Sequence, residues 1–476
     1  MTEHSLLDFF GNPEKQEKKP TSSPPPEKKP QSKTKTVVYP DFPEDLPPSY
    51  LVSVIYDGKK QLASLKLYEP VSQKIYFWDD TTGHKPYCLT SLPPKELKKL
   101  SRVTSHSGFD HFEIVEKYDP LLDKQVTVTK VVAKDPLAIG GRSSGCLRDI
   151  IPEDYQKLTG LEEPPKVWES YIRYYQSYIY DNNLAPGMLY KIQKGKLVPV
   201  QQKASRGTVE KILSLFPDVE KEFLQSVEKW ARLLESPAPE FRRVALDIEV
   251  SSPVATRVPD PHEAAHPVIC VTLFGSDGKK QILVLKRKGI GKGTKELPSD
   301  VIVEYFDSEK KLILKLFEAL RAYPFVLTFN GDDFDLPYLY NRARNHFSFD
   351  RSQIPIEFGR RVCRLSHGIH IDLYKFFFNR SIQIYAFGNK YRDITLNAVG
   401  TALLELPKIE LDKPLSELSY TELALYNLRD SEITLNLTAF NDNLVMKLIL
   451  ALSRIARMPM EDVSRQGVSR WIRNFL

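Results

Sequence analysis

VLTFNGDDFDLPYL, residues Val326 to Leu339, changes character twice within one short stretch. Phe325 to Phe329 is apolar and reads as a short buried strand. Asn330-Gly331 forces a turn, and an acidic cluster then opens a helix carrying Leu336, Leu339 and Tyr340. A carboxylate is thereby delivered at a strand end. A strand end backed by a helix holds a side chain at a crevice more rigidly than a solvated loop does. Aspartate at a helix start is also favoured by the helix dipole alone, so the meaning of the stretch depends on its partners.

The first partner lies upstream. Arg242 to Val250, RRVALDIEV, is an apolar strand in which Asp247 and Glu249 stand two apart and so project from one face. Like charges at that separation repel and raise one another's pKa, a cost that cations offset. A lone pair of this kind also suits a solvated edge strand. VICVTLF and QILVLK, on either side of Gly275-Ser276-Asp277-Gly278, read as the next two strands of a meander, and Glu309 to Ala322 as an amphipathic helix. Downstream, LALYNLRDSEIT, Leu423 to Thr434, places Tyr426 and Asp430 four apart on one helical face. Asp247, Glu249, Asp335 and Asp430 together suit two hard divalent cations, Mg2+ or Mn2+. Two such ions about 4 Å apart favour in-line attack of water on a phosphodiester, with Tyr426 orienting the water.

Composition bounds the rest. The 476 residues, 41% hydrophobic and 27% charged, suffice for two or three domains with cores of their own. A net charge of +6 points weakly to a polyanionic partner. Cys88, Cys146, Cys270 and Cys363 form no CxxC pair, which argues against a structural zinc site and a disulfide scaffold and fits a reducing compartment. No apolar stretch is long enough to span a bilayer and Met1 to Phe10 lacks a signal-peptide pattern, so a soluble, cytoplasmic protein without a membrane partner is expected.

Gly11 to Thr36 is rich in Pro, Lys, Ser and Glu and reads as a disordered linker. Ahead of it lies SLLDFF, Ser5 to Phe10. Its spacing resembles the peptide that docks replication proteins onto a sliding clamp, with Leu6 as the aliphatic plug and Phe9 and Phe10 as the aromatic pair. Glu3 stands where that peptide usually has Gln, and an N-terminal strand or an accidental apolar cluster is the alternative. From Val37, alternating segments broken at Asp57-Gly58 and Thr81-Thr82-Gly83 read as hairpins of an antiparallel sheet. A strand over Gln125 to Val132 leads to Asp135-Pro136 and an aromatic run. There Tyr171, Tyr174, Tyr175 and Tyr178 share a helical face, read as core packing more readily than base stacking. Gly207 to Glu235 reads as two amphipathic helices ending at Ser-Pro-Ala-Pro.

DIE, FNGDDFD and YNLRD, in this order and spacing, resemble the three exonuclease motifs of B-family DNA polymerases. KPY at Lys85, NNLAPGM at Asn182, GSDGKKQILVL, and GIHIDLYKFFFNR at Gly368 extend the resemblance to the archaeal replicative polymerases of crenarchaeal type. The resemblance implies a multidomain α/β and α+β chain. An antiparallel-sheet N-terminal domain would comprise 37–236 with return helices from 442–476, and a DnaQ-like, ribonuclease H-like 3′–5′ exonuclease domain 237–441, behind a tail at 1–36. It further implies Asp247 as the carboxylate shared by both metals, Glu249 and Asp430 on the water-activating metal, Asp335 on the second, Tyr426 beside the water, and Asn330 against the DNA strand. Asp332 and Asp333 are read as turn and capping residues, and His370 and Asp372 as structural. Archaeal members also sense template uracil in an N-terminal pocket, and the segment near Asp135 and Pro136 falls in that region.

The palm strand DxxSLYPS, the DTD turn and a Lys-bearing fingers helix do not occur in the sequence. The expectation is therefore a proofreading part of a DNA polymerase that removes mismatched 3′ ends from DNA and depends on a separate palm-containing chain for polymerisation. A split subunit, a truncated product and a stand-alone nuclease all fit. The competing class is a catalytically idle, clamp-tethered DNA-binding or uracil-sensing fragment.

Overall fold

The computed structural model describes residues 40–119, 121–141, 145–215, 221–251, 258–359 and 362–475. Alternation of apolar and polar residues produces the expected meander, Leu46–Asp57, Leu62–Glu69 and Lys74–Asp79, all antiparallel. The hairpin Leu189–Gln193 and Lys196–Pro199 adds two strands beside Leu46–Asp57 to complete a five-stranded sheet. A second sheet joins Phe109–Asp119, Lys124–Ala133, Tyr87–Thr90 and Val167–Trp168. The helix Tyr174–Asp181 buries Tyr174, Tyr175 and Tyr178 in the core of the first sheet. Tyr171 departs from the expected helical face. The helix begins only after its N-cap Arg173, which leaves Tyr171 outside it, 78% exposed, with the Arg148 guanidinium 4.3 Å over its ring.

The second half is built on a six-stranded mixed sheet, in spatial order Val301–Phe306, Lys280–Leu285, Val268–Gly275, Arg243–Val250, Phe325–Thr328 and Ile369–Asp372. The strand Val301–Phe306 was not evident from the sequence. It lies at the sheet edge, parallel to Lys280–Leu285, and is only partly covered, so it lacks a buried apolar run. Side-chain alternation divides the sheet into two faces. Val244, Leu246 and Ile248 pack with Leu316 and Phe317 of the helix Glu309–Arg321. Ala245, Leu327 and Ile371 pack with Val399 of Leu396–Leu404 and Ile433 of the helix that starts at Tyr420. Asp247 and Glu249 share the second face.

The helix Tyr420–Ala456 is interrupted at Phe440–Asn443, where Asn441, Asp442 and Asn443 all take positive φ. Asn and Asp tolerate that conformation better than other side chains do. The part beyond the break, with Met460–Val463 and Val468–Phe475, returns to the first half. Buried Ser53 donates to Glu461 Oε1 (2.5 Å), Gln176 donates to Asn474 Oδ1 (2.8 Å), and the Arg454 guanidinium donates to the carbonyls of Gly187 and Ser236. One apolar cluster accordingly runs from Tyr50, Val52 and Tyr68 through Phe325 and Ile369 to Val445 and Met460. All four cysteines are buried, and none forms a disulfide among the described residues. Among the described residues no helix is long and apolar enough to cross a membrane.

Candidate active site

The turn after Phe325–Thr328 is held from both sides. Asn330 adopts φ +75°, and a Cβ on Gly331 would lie 2.2 Å from Thr328 Oγ1, so only glycine fits where its N–H bonds that hydroxyl. The buried Asp372 carboxylate accepts from the backbone N–H groups of Asn330 (2.9 Å), Asp332 (3.0 Å) and Tyr374 (3.0 Å). His370, also buried, lies 2.8 Å from Thr328 Oγ1 and 3.0 Å from the Cys363 carbonyl, so both residues are parts of the frame.

Asp332 lies in the turn, as expected, but its side chain does not cap the helix. Its side chain is fully buried and accepts from Cys363 N–H (2.8 Å), Arg465 Nε (2.6 Å) and Arg465 Nη2 (3.0 Å), with Lys375 Nζ at 3.3 Å. Burial alone would raise its pKa. The hydrogen bond from His370 and the charge of Arg465 override that and hold the carboxyl well below the usual range. Asp333 is exposed, with Lys375 at 3.5 Å.

The rigid turn delivers Asp335, the first residue of the helix Asp335–Asn341, to the strand that carries Asp247 and Glu249. Asp335 Oδ1 accepts from the Ile248 N–H at 3.3 Å. From the opposite side Asp430 descends from its helix. Asp247, Glu249 and Asp430 each offer a carboxylate oxygen within 4.8 Å of the others, the one such metal-ligating group among the described residues. Asp335 lies outside that tight set but acts on it electrostatically. Burial, then the charges of Asp430, Asp335 and Glu249, drive the Asp247 pKa well above its ordinary value. Burial and Asp430 push Glu249 up to about 8, and burial pushes Asp335 up to about 7. Burial also raises Asp430, against the pull of Lys408. The buried Oδ1 of Asp430 has no hydrogen-bond partner. Crowded acids resisting ionisation, one with an orphaned oxygen, form an all-oxygen donor set that fits a divalent cation.

Two further residues complete the cluster, and neither stood out in the sequence. Lys408 Nζ lies 2.6 Å from Asp430 Oδ2 and 5.2 Å from the centre of the Tyr426 ring. Asn427 is fully buried. Its Oδ1 accepts from the Cys270 thiol (3.8 Å), which turns Nδ2 to donate to Asp247 Oδ2 at 2.6 Å. Tyr426 is half-buried, and burial first pushes its hydroxyl up to about 12, so it stays protonated at neutral pH. Asn330 is half-buried on the turn preceding Asp335. Leu6, Phe9 and Phe10 lie outside the described residues.

In the N-terminal half, a cavity of about 280 Å³ is lined by Pro86, Tyr87, Pro136, Ile139, Arg148 and Tyr171, among others. Asp135 caps the short helix Pro136–Ile139 on its wall, accepting from Leu137 and Ala138 N–H.

The profile for the exonuclease domain of DNA polymerase family B matches residues 165–399, a span that includes Asp247, Glu249 and Asp335. DNA polymerase 1 of Sulfolobus acidocaldarius is 44% identical over 425 residues, covering 89% of this chain and 46% of the relative. DNA polymerase 1 of Aeropyrum pernix is 38% identical over 431 residues, covering 90% and 43%. The solved family B DNA polymerase from Pyrobaculum calidifontis shares the fold, with a TM-score of 0.60 at 17% identity over 90% of this chain and 50% of that one. The chain therefore carries the exonuclease domain of the B-family DNA polymerases. It corresponds to the amino-terminal half of the crenarchaeal DNA polymerase 1 relatives and spans about half their length.

Proposed function

We propose that the chain is the proofreading part of a DNA-directed DNA polymerase, hydrolysing mismatched 3′-terminal nucleotides from DNA. The observation that supports this most is the convergence of Asp247, Glu249 and Asp430 within 4.8 Å, next to Asp335 and Tyr426. Asp247, Glu249, Asp335 and Asp430 are the residues that would hold two divalent ions, Mg2+ or Mn2+. When bound, such ions lower the pKa of water and offset charge on the leaving oxygen. Asn427 fixes the Asp247 carboxylate, and Lys408 offsets the surplus negative charge beside Asp430. The protonated Tyr426 hydroxyl orients the attacking water, and Asn330 positions the strand near its terminal nucleotide. Water oxygen bonds to phosphorus as the bond to the upstream 3′ oxygen breaks, releasing a nucleoside 5′-monophosphate and a new 3′ hydroxyl.

In this reading 237–441 is the exonuclease domain, 37–236 with 442–476 the N-terminal domain, and 1–36 a tail. Leu6, Phe9 and Phe10 are assigned to a sliding clamp. The cavity beside Pro136 favours one further role, the uracil sensing of archaeal members, tested by comparing affinities for uracil- and thymine-containing single strands. The nuclease reading is tested on a 5′-labelled primer with a mismatched end. Stepwise shortening from the 3′ end in Mg2+, abolished by EDTA, is expected. Internal cuts or loss of the 5′ label would overturn it.

A further inference from the structure

One exposed aromatic surface, which leads off from the end of the strand beside that of Asp247, is not used by this chemistry. Phe325 to Leu327 pair in register with Arg243 to Ala245 of the strand that carries Asp247, and Phe329, just past the end of Phe325–Thr328, packs on the apolar cluster of that strand's Ala245. The Phe329 ring meets Tyr374 edge-on with centroids 5.9 Å apart, and Tyr374 stacks on Phe378 at 6.0 Å and 29°. Phe378 is 62% exposed. The chain then winds into the turn Ile382–Ala386, which presents Tyr385, also 62% exposed. This knob is firmly built. The Gln383 side chain donates to the Phe377 carbonyl (3.1 Å), the Tyr391 hydroxyl donates to the same carbonyl (3.1 Å), and Phe377, Phe387 and Tyr391 are buried beneath it.

Charge accompanies the rings. Arg380, Lys390 and Arg392 are exposed on the same segment and, among the described residues, carry no ion pair. Asp393 is the sole acid from Leu373 to Leu396. A row of rings that starts at the end of the strand paired with the Asp247 strand, edged by cations without ion pairs, matches single-stranded nucleic acid: rings stack on bases and cations meet phosphates. Phe378, beyond its stack on Tyr374, and Tyr385 each leave most of their surface open to a ligand.

We propose that Tyr374, Phe378 and Tyr385, with Arg380, Lys390 and Arg392, form a track that holds the single-stranded DNA upstream of the nucleotide seated at the carboxylate cluster. The proposal rests on the nuclease reading for the direction of the strand. Its test separates the two. Fluorescence anisotropy of labelled oligothymidylates is measured with the full chain in EDTA, where no hydrolysis occurs, and shortening rates are measured in Mg2+. Combined Phe378→Ala and Tyr385→Ala weakens binding of an oligomer of about twelve nucleotides by roughly tenfold or more, with a smaller loss for a dinucleotide. Arg380→Glu with Lys390→Glu weakens it further and flattens the salt dependence. All four side chains are exposed, and because Arg380 also donates to Gln383 Oε1 (3.0 Å), Lys390→Glu alone is measured beside the pair to separate charge from support of the knob. Unchanged affinity in both variants, or a loss no greater than that from Tyr118→Ala on the distant hairpin, overturns the track. Intact binding by a wild-type chain inert in Mg2+ overturns the nuclease reading alone.

Discussion

At the residue scale, the metal-free cluster stores unfavourable charge. Glu249 is pushed up to about 8 and Asp335 to about 7, whereas a carboxyl in an unfolded chain titrates near about 4. Between these values the folded chain binds more protons than the unfolded one, so its stability falls as pH rises. The Tm of the EDTA-treated chain should therefore decline from about pH 5 to about pH 8, and Mg2+ or Mn2+ should restore it most at the upper end. A metal-free Tm that is flat or climbs across that window would contradict the geometry. By the same logic Asp247→Asn, which removes one of the repelling charges, should raise the metal-free Tm while weakening metal binding in a calorimetric titration. The approach of Asp247, Glu249 and Asp430 was legible in the sequence because strand alternation and helical periodicity fix which way a side chain points. Lys408 was not, since it lies in irregular chain between two helices and has no periodicity to read. Asn427 is one step along the helix from Tyr426, and its role emerges only when the Asp247 strand is laid against it.

At the scale of elements, the turn bearing Asn330 to Asp335 is braced by Asp332 against Arg465, 133 residues away on the returning segment. Removing one partner of a buried ion pair leaves the other charge uncompensated, which costs about 3–5 kcal/mol. Arg465→Ala should lower stability in denaturant titrations by that order, and a surface control such as Arg473→Ala by far less. A loss below about 1 kcal/mol would show that the pair does not brace the turn. Asp332 lies in the turn its neighbourhood predicts, but the role of its side chain was not legible, because its partner Arg465 is remote in sequence. The strand–turn–helix itself was legible, as were the meander and the helix Glu309–Arg321, because each buries a continuous face. The edge strand Val301–Phe306, half open to solvent, lacks that signal.

At the scale of the whole molecule, the apolar cluster that joins Tyr50 and Tyr68 to Phe325 and Met460 ties both halves and the returning helices together. Lys66, buried at this junction, donates to the carbonyls of Leu365 (2.6 Å) and Gly368 (2.8 Å). The two halves should accordingly unfold in one calorimetric transition, and two separated transitions would contradict a shared core. The arrangement of the halves was accessible in the sequence only through resemblance, since no local pattern specifies which surfaces meet. What the molecule does rests on the carboxylate cluster, and one comparison tests that most directly. The purified chain and its Asp247→Ala, Glu249→Ala double variant, matched for circular dichroism, are incubated with a 5′-labelled mismatched primer in Mg2+. The account predicts stepwise 3′ shortening by the wild type and a loss of about a hundredfold or more in the variant. Equal rates from the two proteins would contradict it.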